Sequence, residues 1–329
     1  MKAMYAVSGA GGFIGSHLVE HLLAAGHPVR ALIHYHSNGS WSWLEPCKSQ
    51  PNPQLEVIAG DIRDPFWVEQ QLSGIHTVFH LAALIAIPFS YQAPASYVST
   101  NVLGSINVLQ AARKHQCQRL ILMSTSEVYG TAQQIPITEQ HPVRGQSPYS
   151  ASKIGMEAQA EAFFRSFDLP VSIVRPFNNY GPRQSLRGVL PSILLQLLRR
   201  TPALALGDLR PSRDFLYVKD CVAALYTIAQ SESTIGKTLN IATGQEISIE
   251  KLAKTLIELL QPETQIVQDP ARLRPANSEV FRLCGDASLL QSLTAWQPKY
   301  SLKDGLSETI SWFREAENLN TYPPQSYQV

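Results

Sequence analysis

Short apolar runs alternate with longer helical patterns through the first half of the chain. The apolar runs lie at residues 4–8, 29–33, 55–59, 77–81, 119–124 and 171–175, and helical periodicity covers residues 16–25, 95–115 and 150–167. Alternating strands and helices are typical of a parallel sheet covered by helices on both faces. The pattern therefore predicts an α/β fold with a doubly wound parallel sheet.

Beyond residue 175 this alternation stops. Prolines interrupt the chain repeatedly between residues 176 and 211, around one apolar helix at residues 190–198. Residues 238–242 again have a strand pattern, and residues 248–260 have a helical one. We expect a main domain of residues 1–175 and about 212–245, a smaller, discontinuous C-terminal lobe of residues 176–211 and about 246–318, and a tail at residues 319–329.

A glycine-rich turn directly follows the first predicted strand, and a helix begins at Ser16. Glycine permits a tight turn and a close approach of the backbone to a pyrophosphate, whose charge then lies on the free N–H groups of the helix. This context predicts a Rossmann-like dinucleotide site in the main domain. We therefore expect the C-terminal lobe to bind the substrate. Its expected contacts are Gly9, Gly11, Gly12, Phe13, Ile14 and Gly15.

The turn after the second predicted strand bears on the choice of cofactor. An NAD-selective site usually has Asp or Glu here for the ribose 2′-hydroxyl, whereas this chain has His34, Tyr35 and Ser37. Such a turn also tolerates a 2′-phosphate or merely stacks on adenine, so NAD and NADP both stay open. Further candidate cofactor contacts are Asp61, Ile62, Leu81, Ala82 and Ala83.

Tyr149 and Lys153 stand four residues apart in a predicted helix, which places both side chains on one face. A nearby ammonium stabilises a phenolate, so Tyr149 can take a proton from a hydroxyl while hydride leaves for the cofactor. Both residues are therefore candidates for catalysis and for cofactor binding.

Three further motifs make the chain resemble a known family. They are Ser-Thr-Ser-Glu-Val-Tyr-Gly at residues 124–130, Arg-Pro-Phe-Asn-Asn-Tyr-Gly-Pro at 175–182 and Arg-Asp-Phe at 213–215. With the glycine turn and the Tyr/Lys pair, they resemble the extended short-chain dehydrogenase/reductases that process nucleotide sugars, over essentially the whole chain. The Thr-Ser-Glu triplet is similar to that of the 4,6-dehydratases, whereas 4-epimerases generally have a small residue in place of Glu127.

The resemblance implies a role for each residue of this constellation. Thr125 would hydrogen-bond the sugar O4, Tyr149 would deprotonate it, Lys153 would lower the pKa of Tyr149, and Glu127 would remove the C5 proton. Ser126 stands where many dTDP-glucose dehydratases have the Asp that assists water loss, although GDP-mannose dehydratases share Thr-Ser-Glu. The implied reaction oxidises C4, expels water across C5 and C6, and returns the hydride to C6. Decarboxylases share the triplet, so decarboxylase, 4-epimerase, 5,6-dehydratase and a non-enzymatic cofactor-binding protein are the alternatives.

Two stretches narrow the expected substrate. Residues 80–91 and 272–283 resemble the corresponding segments of the GDP-N-acetylglucosamine 4,6-dehydratases of legionaminic acid biosynthesis. Arginine suits bidentate binding of a diphosphate. The candidate substrate contacts are Ile85, Ser90, Asn178, Arg183, Arg213, Arg274 and Glu279.

Composition and charge limit the other possible partners. The 27 Lys and Arg residues nearly balance the 26 Asp and Glu residues, which argues against nucleic acid or an anionic membrane as a partner. The histidines and the four widely separated cysteines lack metal-site spacing, so we expect no metal. Free thiols and the lack of a signal-peptide pattern favour the cytoplasm. The resemblance also implies a homodimer in which residues 95–115 and 150–167 of two chains form a four-helix bundle.

Overall fold

The computed structural model describes residues 3–273 and 275–323. Its strands are β1 (Tyr5–Ser8), β2 (Val29–His34), β3 (Leu55–Gly60), β4 (Thr77–His80), β5 (Arg119–Met123), β6 (Val171–Pro176), β7 (Asn178–Tyr180), β8 (Ala203–Leu206), β9 (Ser212–Tyr217), β10 (Thr238–Ile241), β11 (Glu246–Ser248), β12 (Gln265–Gln268) and β13 (Arg282–Leu283). The helices are α1 (Phe13–Ala24), α2 (Pro46–Ser49), α3 (Pro65–Gln71), α4 (Ile87–Gln92), α5 (Pro94–Tyr97), α6 (Gly104–Lys114), α7 (Pro148–Phe167), α8 (Val189–Leu198), α9 (Val218–Gln230), α10 (Ile249–Leu260), α11 (Ser288–Leu293), α12 (Leu302–Arg314) and α13 (Ala316–Asn320).

Seven parallel strands form the main sheet in the order β10-β6-β5-β4-β1-β2-β3. The strand order reverses between β1 and β4, and ligands of doubly wound sheets bind at such a switch point. Every residue of β1, β4, β5 and β6 is buried, as expected for strands covered on both faces. The predicted α/β fold is confirmed, including the return of the chain at β10 beside β6.

Alternate residues of each central strand point to opposite faces of the sheet, so the main domain has two cores. In β1, Tyr5 and Val7 belong to the core that also contains residues of α1 and α9, whereas Ala6 belongs to the core on the other face, with residues of α6 and α7. The two cores thus pack on opposite faces of the sheet, and the loops at the carboxyl ends of its strands lie at its edge.

The strands outside the main sheet form two smaller sheets. β7, β9, β11 and β13 make a four-stranded sheet, and β8 pairs with β12. The lobe helices predicted from the sequence are present as α8 and α10. β9 pairs within the smaller sheet, and α9 directly after it contacts α1 of the main domain. The exact division of the chain into two domains stays a prediction.

The predicted continuous helix over residues 95–115 is interrupted. A π-helical segment at Val98–Leu103 separates α5 from α6. A π-helical turn accommodates one extra residue per turn and is frequent at functional sites. Here it directs Asn101 into the interior of the protein, where this side chain is fully buried.

The end of the described chain is packed rather than loose. Tyr322 is buried and stacks on Phe313, with the ring centroids 5.3 Å apart. Residues 324–329 of the predicted tail lie outside the described residues.

Within the described ranges, none of the helices has both the length and the hydrophobicity that crossing a membrane requires.

Candidate active site

The glycine turn between β1 and α1 is packed so closely that larger residues do not fit. Gly9 has φ +72°, and a Cβ placed on it would lie 2.8 Å from the backbone N of Ala82. A Cβ on Gly15 would lie only 2.1 Å from the carbonyl oxygen of Gly9. The turn therefore needs glycine for its conformation and for its contact with the loop after β4.

The N-terminus of α1 presents unused hydrogen-bond donors. Gly12 is its N-cap and has no side chain to accept from the first N–H groups, and the first turn contains no acidic residue. Backbone donors and the positive end of the helix dipole together bind anions. The close approach at Gly9 and Gly15 and this uncapped end fit a dinucleotide pyrophosphate, with Phe13 and Ile14 half-buried beside it.

The loop after β2 lies open to solvent. His34, Tyr35 and Ser37 are all exposed. Further along the same loop, the backbone N–H of Trp43 donates to the carbonyl oxygen of Gly11 at 3.2 Å, which ties the loop to the glycine turn. The exposed imidazoles and hydroxyls leave the choice between NAD and NADP open.

Asp61 and Ile62, predicted near the adenine, have separate environments. Asp61 forms an ion pair with Arg63 at 2.5 Å, and hydrogen bonding from Arg63 holds the pKa of Asp61 below its usual value. Ile62 is buried, and a Cβ on Gly104 would lie 2.8 Å from its Cδ1. The contact of either residue with a cofactor stays a prediction.

Hydrogen bonds hold the loop after β4 to Ser8 on one side and to Asn101 on the other. Leu81, Ala82 and Ala83 are half-buried, and the backbone N–H of Ala82 donates to Ser8 Oγ at 3.2 Å. Leu84 donates its N–H to Asn101 Oδ1 at 2.8 Å and accepts at its carbonyl from Asn101 Nδ2 at 2.9 Å.

Asn101 is a residue of the candidate site that the sequence reasoning missed. Its Nδ2 also donates to Ser152 Oγ on α7 at 2.9 Å, so it connects the loop after β4 to the helix of the Tyr/Lys pair. A single asparagine inside an apolar helical pattern gives no signal of such a contact.

Tyr149 lies in the first turn of α7, which begins with a capping box between Ser147 and Ser150. The Tyr149 side chain is buried and lies close to that of Thr125. Burial raises the pKa of Tyr149, and the negative charge of Glu127 raises it further, while the nearby Thr125 hydroxyl acts in the opposite direction. The phenol is thus protonated at neutral pH in the protein alone.

Lys153 lies one turn further along α7 and is also buried. Its Nζ donates to the carbonyl oxygen of Met123 at the end of β5, at 2.8 Å. Burial lowers the pKa of Lys153 to about 8, and the charge of Glu157 opposes this shift. The role of Lys153 in lowering the pKa of Tyr149 stays a prediction.

The Thr-Ser-Glu triplet follows β5 at the carboxyl edge of the sheet. Thr125 caps the short 3₁₀ helix Ser126–Tyr129, and its Oγ1 accepts from the N–H of Glu127 at 3.2 Å. Ser126 is buried, whereas Glu127 is half-buried. Because Glu127 is close enough to Tyr149 to affect its pKa, the fold brings Thr125, Glu127 and Tyr149 into one cluster.

Two stretches assigned to the substrate meet in space. Tyr91, after β4, hydrogen-bonds through its hydroxyl to Ser278 Oγ at 2.5 Å. Ile85 is 57% exposed in the same region, whereas Ser90 is buried and donates to the carbonyl oxygen of Ile87 at 2.6 Å. Ser90 thus already has an internal acceptor.

The predicted diphosphate-binding arginines have different partners. Arg213 and Glu279 are both largely buried and form an ion pair at 3.2 Å. Arg183 instead pairs with Glu20 of α1 at 2.7 Å. Arg274 lies outside the described residues.

Asn178, the remaining candidate for the diphosphate, lies half-buried in β7. Its buried Oδ1 has no hydrogen-bond partner among the described residues. A buried acceptor without a partner is costly, which makes Asn178 a suitable ligand contact.

In the described ranges, His, Cys, Asp and Glu side chains form no group of three that would hold a metal ion.

Comparison with known proteins identifies the class of enzyme that has this fold and site. The family model for GDP-mannose 4,6 dehydratase matches residues 6–309. The chain therefore belongs to the GDP-mannose 4,6-dehydratase family of nucleotide-sugar enzymes within the extended short-chain dehydrogenase/reductases. The resemblance seen in the sequence is confirmed.

Three similar proteins have three different activities. The UDP-N-acetyl-alpha-D-glucosaminuronate decarboxylase of Bacillus cytotoxicus is 32% identical, over 97% of this chain and 100% of that protein. The dTDP-glucose 4,6-dehydratase DesIV of Streptomyces venezuelae, solved with NAD bound, has a TM-score of 0.87 at 30% identity, over 98% of this chain and 99% of that one. The UDP-glucose 4-epimerase of Thermotoga maritima, solved with UDP-glucose, has a TM-score of 0.85 at 29% identity, over 95% of this chain and 99% of that one. The family is thus shown, and the NAD of DesIV supports the predicted cofactor, while the reaction needs an argument from the site.

Proposed function

We propose that this protein is an NAD(P)-dependent nucleotide-sugar 4,6-dehydratase acting on GDP-N-acetylglucosamine or a similar nucleotide-linked hexose. The observation that carries the proposal is the half-buried carboxylate of Glu127, which lies close enough to Tyr149 to raise the pKa of the tyrosine. Elimination of water needs a base beside the group that oxidises C4, and epimerisation at C4 does not.

The residues of the cluster divide the proposed reaction between them. Thr125 holds the sugar O4, and Tyr149 takes its proton as a phenolate, which the Lys153 ammonium would stabilise in the complex with cofactor. A bound nicotinamide would supply the hydride acceptor for C4 and the hydride donor for C6. Oxidation at C4 makes the C5 proton acidic, and Glu127 takes that proton. The same proton can then leave with the C6 hydroxyl as water, with buried Ser126 beside the departing group. When the hydride returns to C6, C5 must take up a proton, and the proton that left O4 for Tyr149 balances this uptake.

The cofactor is proposed to lie with its pyrophosphate at Gly12 and its nicotinamide near Tyr149 and Lys153. Both NAD and NADP fit this site chemically, because the exposed His34, Tyr35 and Ser37 after β2 include no carboxylate to exclude a 2′-phosphate. The sugar diphosphate is proposed to bind between Asn178 and Arg213.

The proposal is tested by incubating the purified protein, with NAD and with NADP, with GDP-N-acetylglucosamine and with its UDP, dTDP and CDP counterparts. A product lighter by one water, reduced at C6, with no net consumption of cofactor, is expected. Inversion at C4 without a change of mass would instead indicate an epimerase. Loss of carbon dioxide from a sugar uronate would indicate a decarboxylase.

We also propose that the protein is a cytoplasmic homodimer formed through α7 and the segment from Val98 to the end of α6. Its cysteines at 47, 117, 221 and 284 are free thiols, which suits a reducing compartment. Val98 and Leu103 are 50% and 53% exposed, which supports the covering of this face by a second chain.

A further inference from the structure

A buried pair of opposite charges lies one helical turn beyond Lys153. Tyr149, Lys153 and Glu157 are spaced four residues apart on α7, and all three are buried. The Glu157 carboxylate accepts hydrogen bonds from Arg175 Nε at 2.9 Å and from Arg175 Nη2 at 2.6 Å. Because both side chains are about 95% buried, this bidentate contact fixes the carboxylate in place.

Arg175 is itself held by other elements. Its Nη1 donates to the hydroxyl of Tyr129 at 3.0 Å, and that hydroxyl donates to Asn240 Oδ1 at 2.7 Å. Arg175 belongs to β6 and Asn240 to β10, so two strands of the main sheet fix the position of the guanidinium. The fold therefore specifies where the charge of Glu157 lies.

The surroundings of Lys153 make this charge relevant to the active site. Its ammonium faces the Met123 carbonyl on β5 and His80 on β4, and its helix also carries Tyr149 and Glu157. His80 is neutral, since burial lowers its pKa to about 3. Among the described residues, Glu157 is the carboxylate whose charge acts on the Lys153 ammonium.

We propose that Glu157, held by Arg175, is a positioning residue that keeps the buried ammonium of Lys153 charged, one helical turn from Tyr149. A buried ammonium without an opposing charge nearby releases its proton more readily. Glu157 thus acts through Lys153 and does not contact the substrate. The inference rests on the proposed function, in which Lys153 supports Tyr149.

The direct test is a pH titration of Lys153 in the holoenzyme, monitored by heteronuclear NMR of protein labelled at the lysine Nζ. The Lys153 signal is assigned by its absence in Lys153→Met. In Glu157→Gln the pKa of Lys153 should fall by about one unit, a tenfold change in the proton dissociation constant. Glu161→Gln is the matched control, because Glu161 lies one turn further on α7 in an exposed ion pair with Arg165. It should leave the titration unchanged.

A second variant guards against misfolding, because Glu157→Gln leaves Arg175 buried without its carboxylate. In the double variant Glu157→Leu with Arg175→Met, apolar groups replace both charges. Removing both members of a buried ion pair destabilises a protein less than removing one member and leaving the other charge unpaired. The pKa of Lys153 should fall here too. If Lys153 keeps its wild-type pKa in either folded variant, the inference is overturned.

A kinetic measurement links this shift to the reaction. In Glu157→Gln the high-pH limb of the kcat profile should move down by about one pH unit, as the ammonium is lost earlier. An unmoved limb would contradict the inference. The NMR titration requires no turnover, so absence of dehydration by the wild type would refute the proposed function alone.

Discussion

In the proposed reaction, Glu127 is the residue that separates dehydration from simple redox chemistry at C4. Glu127→Gln keeps the size of the side chain and removes the proposed base. We expect the cofactor to bind with unchanged affinity and dehydration to slow by about 10²- to 10⁴-fold, the usual contribution of a general base. Mass spectrometry of the product and fluorescence titration with the cofactor measure the two effects.

Glu69→Gln provides the control for that substitution, because Glu69 lies in an exposed ion pair with Lys114. It should retain full activity. Wild-type turnover by Glu127→Gln would rule out Glu127 as the base.

Lys153 is kept at an energetic cost to the fold. Its pKa of about 8 in the folded protein lies below the ordinary lysine value of 10.5, and each pKa unit of this difference corresponds to about 1.4 kcal/mol. Replacing the ammonium also loses the hydrogen bond to Met123, worth about 1 kcal/mol. We therefore expect Lys153→Met to increase the free energy of unfolding at pH 7 by about 2 kcal/mol, while abolishing activity.

The sign of the pH dependence provides a second check on Lys153. Between pH 8 and 10.5 the unfolded chain binds the Lys153 proton and the folded protein does not, so this residue makes wild-type stability rise with pH in that window. Urea denaturation at several pH values should show that this rise is lost in Lys153→Met. The exposed Lys251→Met is the control and should keep the wild-type dependence. A Lys153→Met variant that is less stable at pH 7 and has the wild-type dependence would disprove the account.

Sequence reasoning reached some of these residues and missed others for a physical reason. Tyr149 and Lys153 could be paired because helical geometry fixes their relation locally, and Glu127 because it follows a recognisable strand. Asn101 could not be found, because its partners at Leu84 and Ser152 are brought together only by the tertiary fold. Arg183 was a candidate from the sequence, but its partner Glu20 could not be predicted, because the two residues are 163 positions apart in the chain.

At the scale of elements, the strand–turn–helix unit from β1 to α1 gives the next prediction. Gly15→Ala would place a Cβ 2.1 Å from the Gly9 carbonyl oxygen, which is backbone and cannot turn aside. The turn must open, so we expect cofactor affinity to fall by about tenfold or more, corresponding to about 1.4 kcal/mol. Isothermal titration calorimetry with NAD and with NADP measures this loss of cofactor affinity.

Ala24→Gly at the exposed end of the same helix is the matched control. It lowers helix propensity by up to about 1 kcal/mol without touching the turn, so it should reduce stability and leave cofactor affinity unchanged. Equal losses of affinity in the two variants would mean that the turn has no special role.

The main strands could be predicted within about one residue because buried parallel strands are continuous apolar runs bounded by turns. The short strands of the lobe, such as β7 and β13, are too brief to leave such a pattern. The π-helical segment at Val98–Leu103 likewise has no periodicity of its own, so the sequence indicated one unbroken helix there. Element boundaries thus depend on packing wherever local pattern is weak.

At the scale of the whole molecule, the proposed dimer places α7, which carries Tyr149 and Lys153, at the interface. Leu103 is 53% exposed next to α6, and Ala158 is exposed on α7. A charge buried against its symmetry mate has no partner, so Leu103→Glu and Ala158→Glu should each weaken dimerisation by about 2 kcal/mol or more, roughly 30-fold in Kd. Light scattering coupled to size-exclusion chromatography should then show a monomer at concentrations where the wild type is a dimer.

Leu259→Glu is the control for these variants, because Leu259 is 58% exposed on α10, outside the proposed interface. It adds the same charge to the surface and should leave the dimer intact. Because α7 is covered on its outer face in the dimer, the monomeric variants should also lose activity in proportion to the dimer lost. Full activity in a monomeric variant would separate the catalytic site from dimerisation, and a monomeric wild type would refute the dimer itself.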